Sequence, residues 1–330
     1  MTDPNGMVKF YVWKESLFSF SGERDTDVRF YGRTLSEYAE LRYGAVTVET
    51  FPVFREGETQ VVLRSSHTCL PASGLNAMIQ KARRQKKNLY FGAGWIIVEE
   101  SELAKAKYFP LLGGAAFLSA EDYPYVADKI RLSIVKKLLK RGVIVENADT
   151  VYVDDTAIIE SGVFLSHDVT VKGRSILKSG AKVLPYTVVE DGEVESFAEV
   201  GPFARLRKGS VIKSFAKVGN FTEIKNSTLG EGSKASHLTY VGDADIGKKC
   251  NLGCGTVFVN YDGKKKHRSV VGDKCFIGSN ANVIAPVSLG ENSFVAAGST
   301  LTKDLEDGDF CIARERERII KGRAKRYYNP

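Results

Sequence analysis

The sequence has no apolar run of the roughly 18 residues that a bilayer crossing needs, so no segment reads as a membrane span. Its opening, MTDPNGMVKF, has neither the basic nor the apolar stretch of a secretory leader, and the cytoplasm is the expected location. Cysteine is scarce. Cys69, Cys250, Cys254, Cys275 and Cys311 are the five in 330 residues, with no CxxC pair and no His/Cys cluster. That argues against a zinc site or a disulfide framework, and the thiols are expected as small buried apolar side chains; no metal is expected. The first half has neither a GxxxxGK[ST] phosphate loop nor a GxGxxG turn after a strand. Its acids, Asp25, Asp27, Glu99, Glu100 and Glu102, are scattered like surface residues.

What is present is ordinary globular material: 43% apolar, 26% charged, and long enough for two domains. The net charge of +7 is compatible with nucleic acid, an acidic surface or polyanionic small molecules. No nucleic-acid motif occurs, and the cations are dispersed apart from Arg83-Arg84, Lys136-Lys137 and Lys264–Arg268. Nucleic acid is therefore not an expected partner, while phosphorylated small ligands can use single cations.

Residues 1–122 read as a mixed α/β domain whose role the sequence leaves open. Phe10–Trp13, Val46–Val48, Val61–Leu63 and Trp95–Val98 look like strands. Gly74–Lys87 looks helical, with Leu75, Met78 and Ile79 on one side and a basic end. Tyr123–Gly142, inside a connector over 123–150, is the clearest helix: Val126, Ile130, Ile134 and Leu138 recur every four residues and Gly142 suits the position past its end.

From Val153 the texture changes. Val153, Ile159, Leu165 and Val171 are six apart; after a slip, Val188, Val194, Val200, Leu206, Ile212, Val218 and Ile224 are six apart again. One-residue contractions follow before Leu229 and Ile246, and an insertion, VNYDGKKKHRSV, before Val271. A six-residue apolar period is the mark of the hexapeptide β-helix, with three short strands per coil and the aliphatic residues stacked inside. Residues 151–305 are expected to form it, and 306–330 to be a tail capping the open end. Arg207 and Lys225 are eighteen positions apart, one full coil, so they are expected on the same edge of adjacent coils.

GPFARLR, VGNFTEIK, SKASHLTYVGDADIG, NLGCGT, VNYDGKKKH, IGSNANVIAPV and AAGST resemble the acetyltransferase domain of the bifunctional uridylyltransferase/acetyltransferase that makes UDP-N-acetylglucosamine. The resemblance runs from about Arg131 to Arg314 and is densest after Gly201. It implies a left-handed coil, a homotrimer with sites between chains, and acetyl transfer from acetyl-CoA to the amine of glucosamine 1-phosphate. The family's nucleotidyltransferase fingerprint, GxGTRMxxxxPK, is missing here, so uridylyl transfer is not expected. By resemblance, His237 is the general base and Arg207 and Lys225 hold the phosphate. Tyr240, Asn251 and Lys266 lie around the sugar, and Asn260 and Tyr261 stand where sugar and acetyl group meet. Cys254, Asn260, Tyr261, Ser279, Ala297 and Arg314 match acetyl-CoA positions. Cys254 replaces a usual Ala, and Ser236 a usual Gly. Two other readings stay open: an acyltransferase on another amino sugar phosphate or sugar nucleotide, and a non-catalytic sugar-phosphate-sensing scaffold.

Overall fold

The computed structural model describes residues 7–14, 19–20, 23–24, 28–49, 51–55, 58–64, 72–91, 94–99, 106–108 and 120–328. Cys69, Asp25, Asp27, Glu100 and Glu102 lie outside them. The chain divides into two compact units, residues 1–141 with 147–157 and 171–174, and residues 142–146 with 158–170 and 175–330.

The first unit is built on a six-stranded mixed sheet. Val8–Trp13 runs parallel to Val46–Val48 on one side and to Thr59–Arg64 on the other. Gly94–Ile97 returns antiparallel to Thr59–Arg64. Helix α1, Leu35–Tyr43, is not visible in the apolar pattern, because Leu35 and Ala39 are its only buried apolar residues. Its signal is instead a capping box, in which Thr34 accepts from the Glu37 backbone and Glu37 accepts from the Thr34 backbone. Helix α2, Ala72–Gln85, sets Leu75, Met78 and Ile79 against Val61, Leu63, Leu89 and Ile96. Helix α3, Tyr123–Lys140, buries Val126, Ile130, Ile134, Val135 and Leu138, and Gly142 follows at φ 87°. No helix among the described residues is long and apolar enough to cross a membrane.

The second unit is a parallel β-helix with three sheets. Sheet I has ten strands, from Ile144–Val145 to Phe310–Cys311; sheet III has eight, from Ile158–Ile159 to Ser288–Leu289. Sheet II runs between them, here followed from Val188–Glu190 to Thr300–Leu301. Each coil crosses I, II and III in turn. The inward residues stack in register, as in Val200, Val218, Ala235 and Leu252 on sheet I. Val200, Leu206, Ile212, Val218 and Ile224 are all fully buried, each worth about 1.5–3 kcal/mol. Cys250 and Cys275 are buried as expected, whereas Cys254 and Cys311 are only half-buried. The sheet continues through Phe310–Cys311, and residues 312–328 are exposed throughout.

The rhythm needs one correction. No slip follows Val171: Leu177, Val183 and Val189 continue the six-residue step, fully buried, while Val188 is half-exposed. The shortened step comes next, from Val189 to Val194. Two adjacent valines hid the true frame. All three five-residue steps (Val189 to Val194, Ile224 to Leu229, Val241 to Ile246) and the long insertion after Phe258 fall where sheet II turns into sheet III. At the shortened corners Asp191, Asn226 and Asp243 take φ 46°, 47° and 49°, a left-handed geometry that Asn and Asp tolerate. One corner of the coil has thus given up its regularity.

Candidate active site

Two clusters of chemistry flank sheet II. The first is at the irregular corner. The pairing of Arg205 with Glu223 and Leu206 with Ile224 puts Arg207 directly beside Lys225 on the next coil, as the eighteen-residue spacing predicts. The extruded loop brings Lys266 to the same place. Lys266 depresses the pKa of Lys225 most, with burial and the charge of Arg207 adding to the effect. Glu223 steadies the Arg207 guanidinium across 2.9 Å and pushes its pKa up. Three cations crowding one point is an unfavourable arrangement that a bound anion would relieve.

Asp243 lies beneath them, almost buried. Burial pushes its pKa up, but hydrogen bonds from the Asn226 and Asn260 amides, together with Lys225 and Lys266, hold it below the ordinary carboxylate range. Asn260 donates to Asp243 through Nδ2. The position next to Lys225 in register is Gly242. A Cβ there would come within 2.5 Å of the Tyr240 hydroxyl and 2.8 Å of Asn260 Nδ2, so glycine lets both converge.

The insertion is a built loop rather than a wandering one. Asp262 accepts from the backbones of Lys264 and Lys265 at 2.7 and 2.6 Å and pairs with His267 at 2.7 Å. These donors bring its pKa down to about 2. Arg268 ties the far end to Asp245 and to the Asn226 carbonyl.

A pH dependence follows. An ammonium with a depressed pKa loses its charge at lower pH than an ordinary lysine, so anion binding should weaken correspondingly early as pH rises. Lys266→Met should move that loss to higher pH while weakening binding at neutral pH. Titration calorimetry with inorganic phosphate across the alkaline range measures both.

The second cluster stands at the opposite edge of sheet II, where sheet I turns into it. His237 ends the strand Lys234–His237, with Nδ1 2.7 Å from Asn220 Oδ1. The aligned residues Ala235, Leu252, Ile277 and Val295 place His237, Cys254, Ser279 and Ala297 in one column, two positions on, over four successive coils. The Arg314 side chain passes 3.5 Å from where a Gly298 Cβ would be, at the end of that column. Ser236, Gly253, Gly278 and Ala296 give the column a floor of small residues.

Two expected residues stand apart. Asn251 faces out on sheet I between Lys234 and Phe276, away from the cation cluster. Tyr261 is 55% exposed and donates to the Gly263 carbonyl. Sequence reasoning overlooked Glu223, Asn226, Asp243 and Asn220, which contact the expected residues rather than being among them. Only the corner contractions beside Asn226 and Asp243 could have signalled any of them.

A family model described as the hexapeptide repeat of succinyl-transferase matches residues 269–303. The bifunctional protein GlmU of Caldicellulosiruptor saccharolyticus is 52% identical over 137 residues, 42% of this chain and 30% of that protein. GlmU of Caldanaerobacter subterraneus is 39% identical over 244 residues, covering 64% and 53%. GlmU of Clostridium novyi is 40% identical over 209 residues, covering 58% and 46%. Among solved structures, LpxA from Acinetobacter baumannii is similar at 15% identity over 49% of this chain and 68% of that one, with a TM-score of 0.34. The chain spans about half the length of the curated relatives it matches, and over that shared part it is similar to the bifunctional GlmU proteins.

Proposed function

We propose that the β-helix transfers an acetyl group from acetyl-CoA to the amine of glucosamine 1-phosphate, and that it works as a homotrimer with sites between chains. The convergence of Arg207, Lys225 and Lys266 is the observation that carries this reading, because a compact dianion such as a phosphate monoester matches it. Tyr240 and the side-chain amide of Asn260 border the same place and suit sugar hydroxyls.

Acetyl-CoA takes the small-residue floor along Cys254, Ser279 and Ala297, with Arg314 near a phosphate of the coenzyme and Tyr261 where sugar and acetyl group meet. His237, heading that column, removes a proton from the amine nitrogen as its lone pair adds to the thioester carbon. The C–S bond then breaks, and the coenzyme leaves as a thiolate that takes the proton back from the imidazolium. Backbone N–H groups support the oxyanion. Asn260, which donates through Nδ2 to Asp243, is less suited to that role. No step calls for a metal.

Thiol release by the purified full chain, with glucosamine 1-phosphate, glucosamine and an amino-sugar nucleotide compared as acceptors, tests this. The phosphate monoester should give the highest kcat/KM. Preference for the sugar nucleotide would instead favour an acyltransferase of different acceptor range, and the absence of thiol release with all three acceptors would favour the scaffold reading.

A further inference from the structure

His237 and Asn220 close their strands side by side and are aligned in register on adjacent coils. The Asn220 backbone carbonyl also accepts from the Leu238 N–H at 3.0 Å, so the two coils are tied on both sides of the histidine. Gly219 makes this approach workable: a Cβ there would stand 1.9 Å from the Ser236 carbonyl oxygen, inside any permitted contact. A side chain at 219 would force the coils apart just where Asn220 meets the ring.

A carboxamide oxygen only accepts hydrogen bonds. With Asn220 Oδ1 2.7 Å from Nδ1, the proton of the neutral imidazole belongs on Nδ1, and the lone pair on Nε2. We propose that Asn220 is a positioning residue that selects this tautomer and turns Nε2 toward the reacting amine. The proposal rests on the reading of His237 as the base.

The choice of a neutral partner has a chemical consequence. The groove beside His237 holds Glu199, Lys217 and Lys234 as its charged groups, with Glu199 and Lys217 paired at 2.8 Å, and Leu184, Pro202 and Ser236 as uncharged neighbours. An amide fixes the ring without stabilising its charged form. A carboxylate at the same place would favour the imidazolium and withhold the base over more of the pH range.

The test uses the full chain. A long-range proton–nitrogen NMR spectrum, with His237→Ala identifying the signal among four histidines, should show the Nδ1–H tautomer. Asn220→Ala should lose that preference and lower kcat about 10–100-fold, the usual cost of removing a group that orients a functional histidine, with KM for acetyl-CoA nearly unchanged. Asn220→Asp should recover most of the rate at high pH, with the acid limb of the kcat/KM profile moved up by about one pH unit. A wild-type spectrum showing the Nε2–H tautomer would overturn the proposal even if the alanine variant fails to fold. So would an alanine variant with wild-type kcat and acid limb. A fully active His237→Ala enzyme would remove the base assignment itself, which is a different failure.

Discussion

His237→Ala should lower kcat by about 10²–10⁴-fold and leave acetyl-CoA binding near normal. The amine of the acceptor is largely protonated near neutral pH, and without a base it cannot both shed its proton and attack. The imidazole is exposed, held at Nδ1 by Asn220 and placed at the head of the column that runs through Cys254, Ser279 and Ala297. The donor keeps its other contacts when the ring is removed, so the loss belongs to kcat. Steady-state thiol release combined with a direct acetyl-CoA binding measurement separates the two effects. Wild-type turnover in the variant would remove His237 from the chemistry.

The second large effect is on the acceptor. Arg207→Ala combined with Lys225→Met should lower kcat/KM for glucosamine 1-phosphate by about 10²–10⁴-fold, since each hydrogen bond to a charged group is worth about 1.5–3 kcal/mol. Most of this should appear in KM. The two residues are adjacent on successive coils and would meet the same anion, so the single variants should not add simply. Unphosphorylated glucosamine provides the control. Its much poorer rate should be nearly insensitive to the double substitution, whereas an equal loss with both acceptors would show that the cations support the fold instead of the phosphate.

The fold was legible because a hexapeptide period has few competing explanations, and the adjacency of Arg207 and Lys225 followed from it. The frame error at Val188 arose because two neighbouring valines satisfy the apolar pattern equally well and only packing decides between them. Helix α1 was missed because its apolar residues do not line one face, although its capping box was readable at Thr34 and Glu37. In the site, residues with obvious chemistry stood out from the rhythm. Their partners did not. Asp243 looks like a turn residue and Asn220 like a corner residue until the coil brings them 17 positions along, against Asn260 and His237 respectively. Such contacts depend on the coil-to-coil register, which five-residue steps shift by one. The separation of Asn251 from the cation cluster has a different origin: it faces out on sheet I, whereas Arg207 and Lys225 lie along sheet II.

The measurement that tests the central claim most directly is mass spectrometry of the products formed by the purified full chain from acetyl-CoA and glucosamine 1-phosphate. One acetyl group on the sugar nitrogen, one free thiol per turnover and a retained phosphate are expected. An unmodified sugar, with acetyl-CoA intact after long incubation, would contradict it.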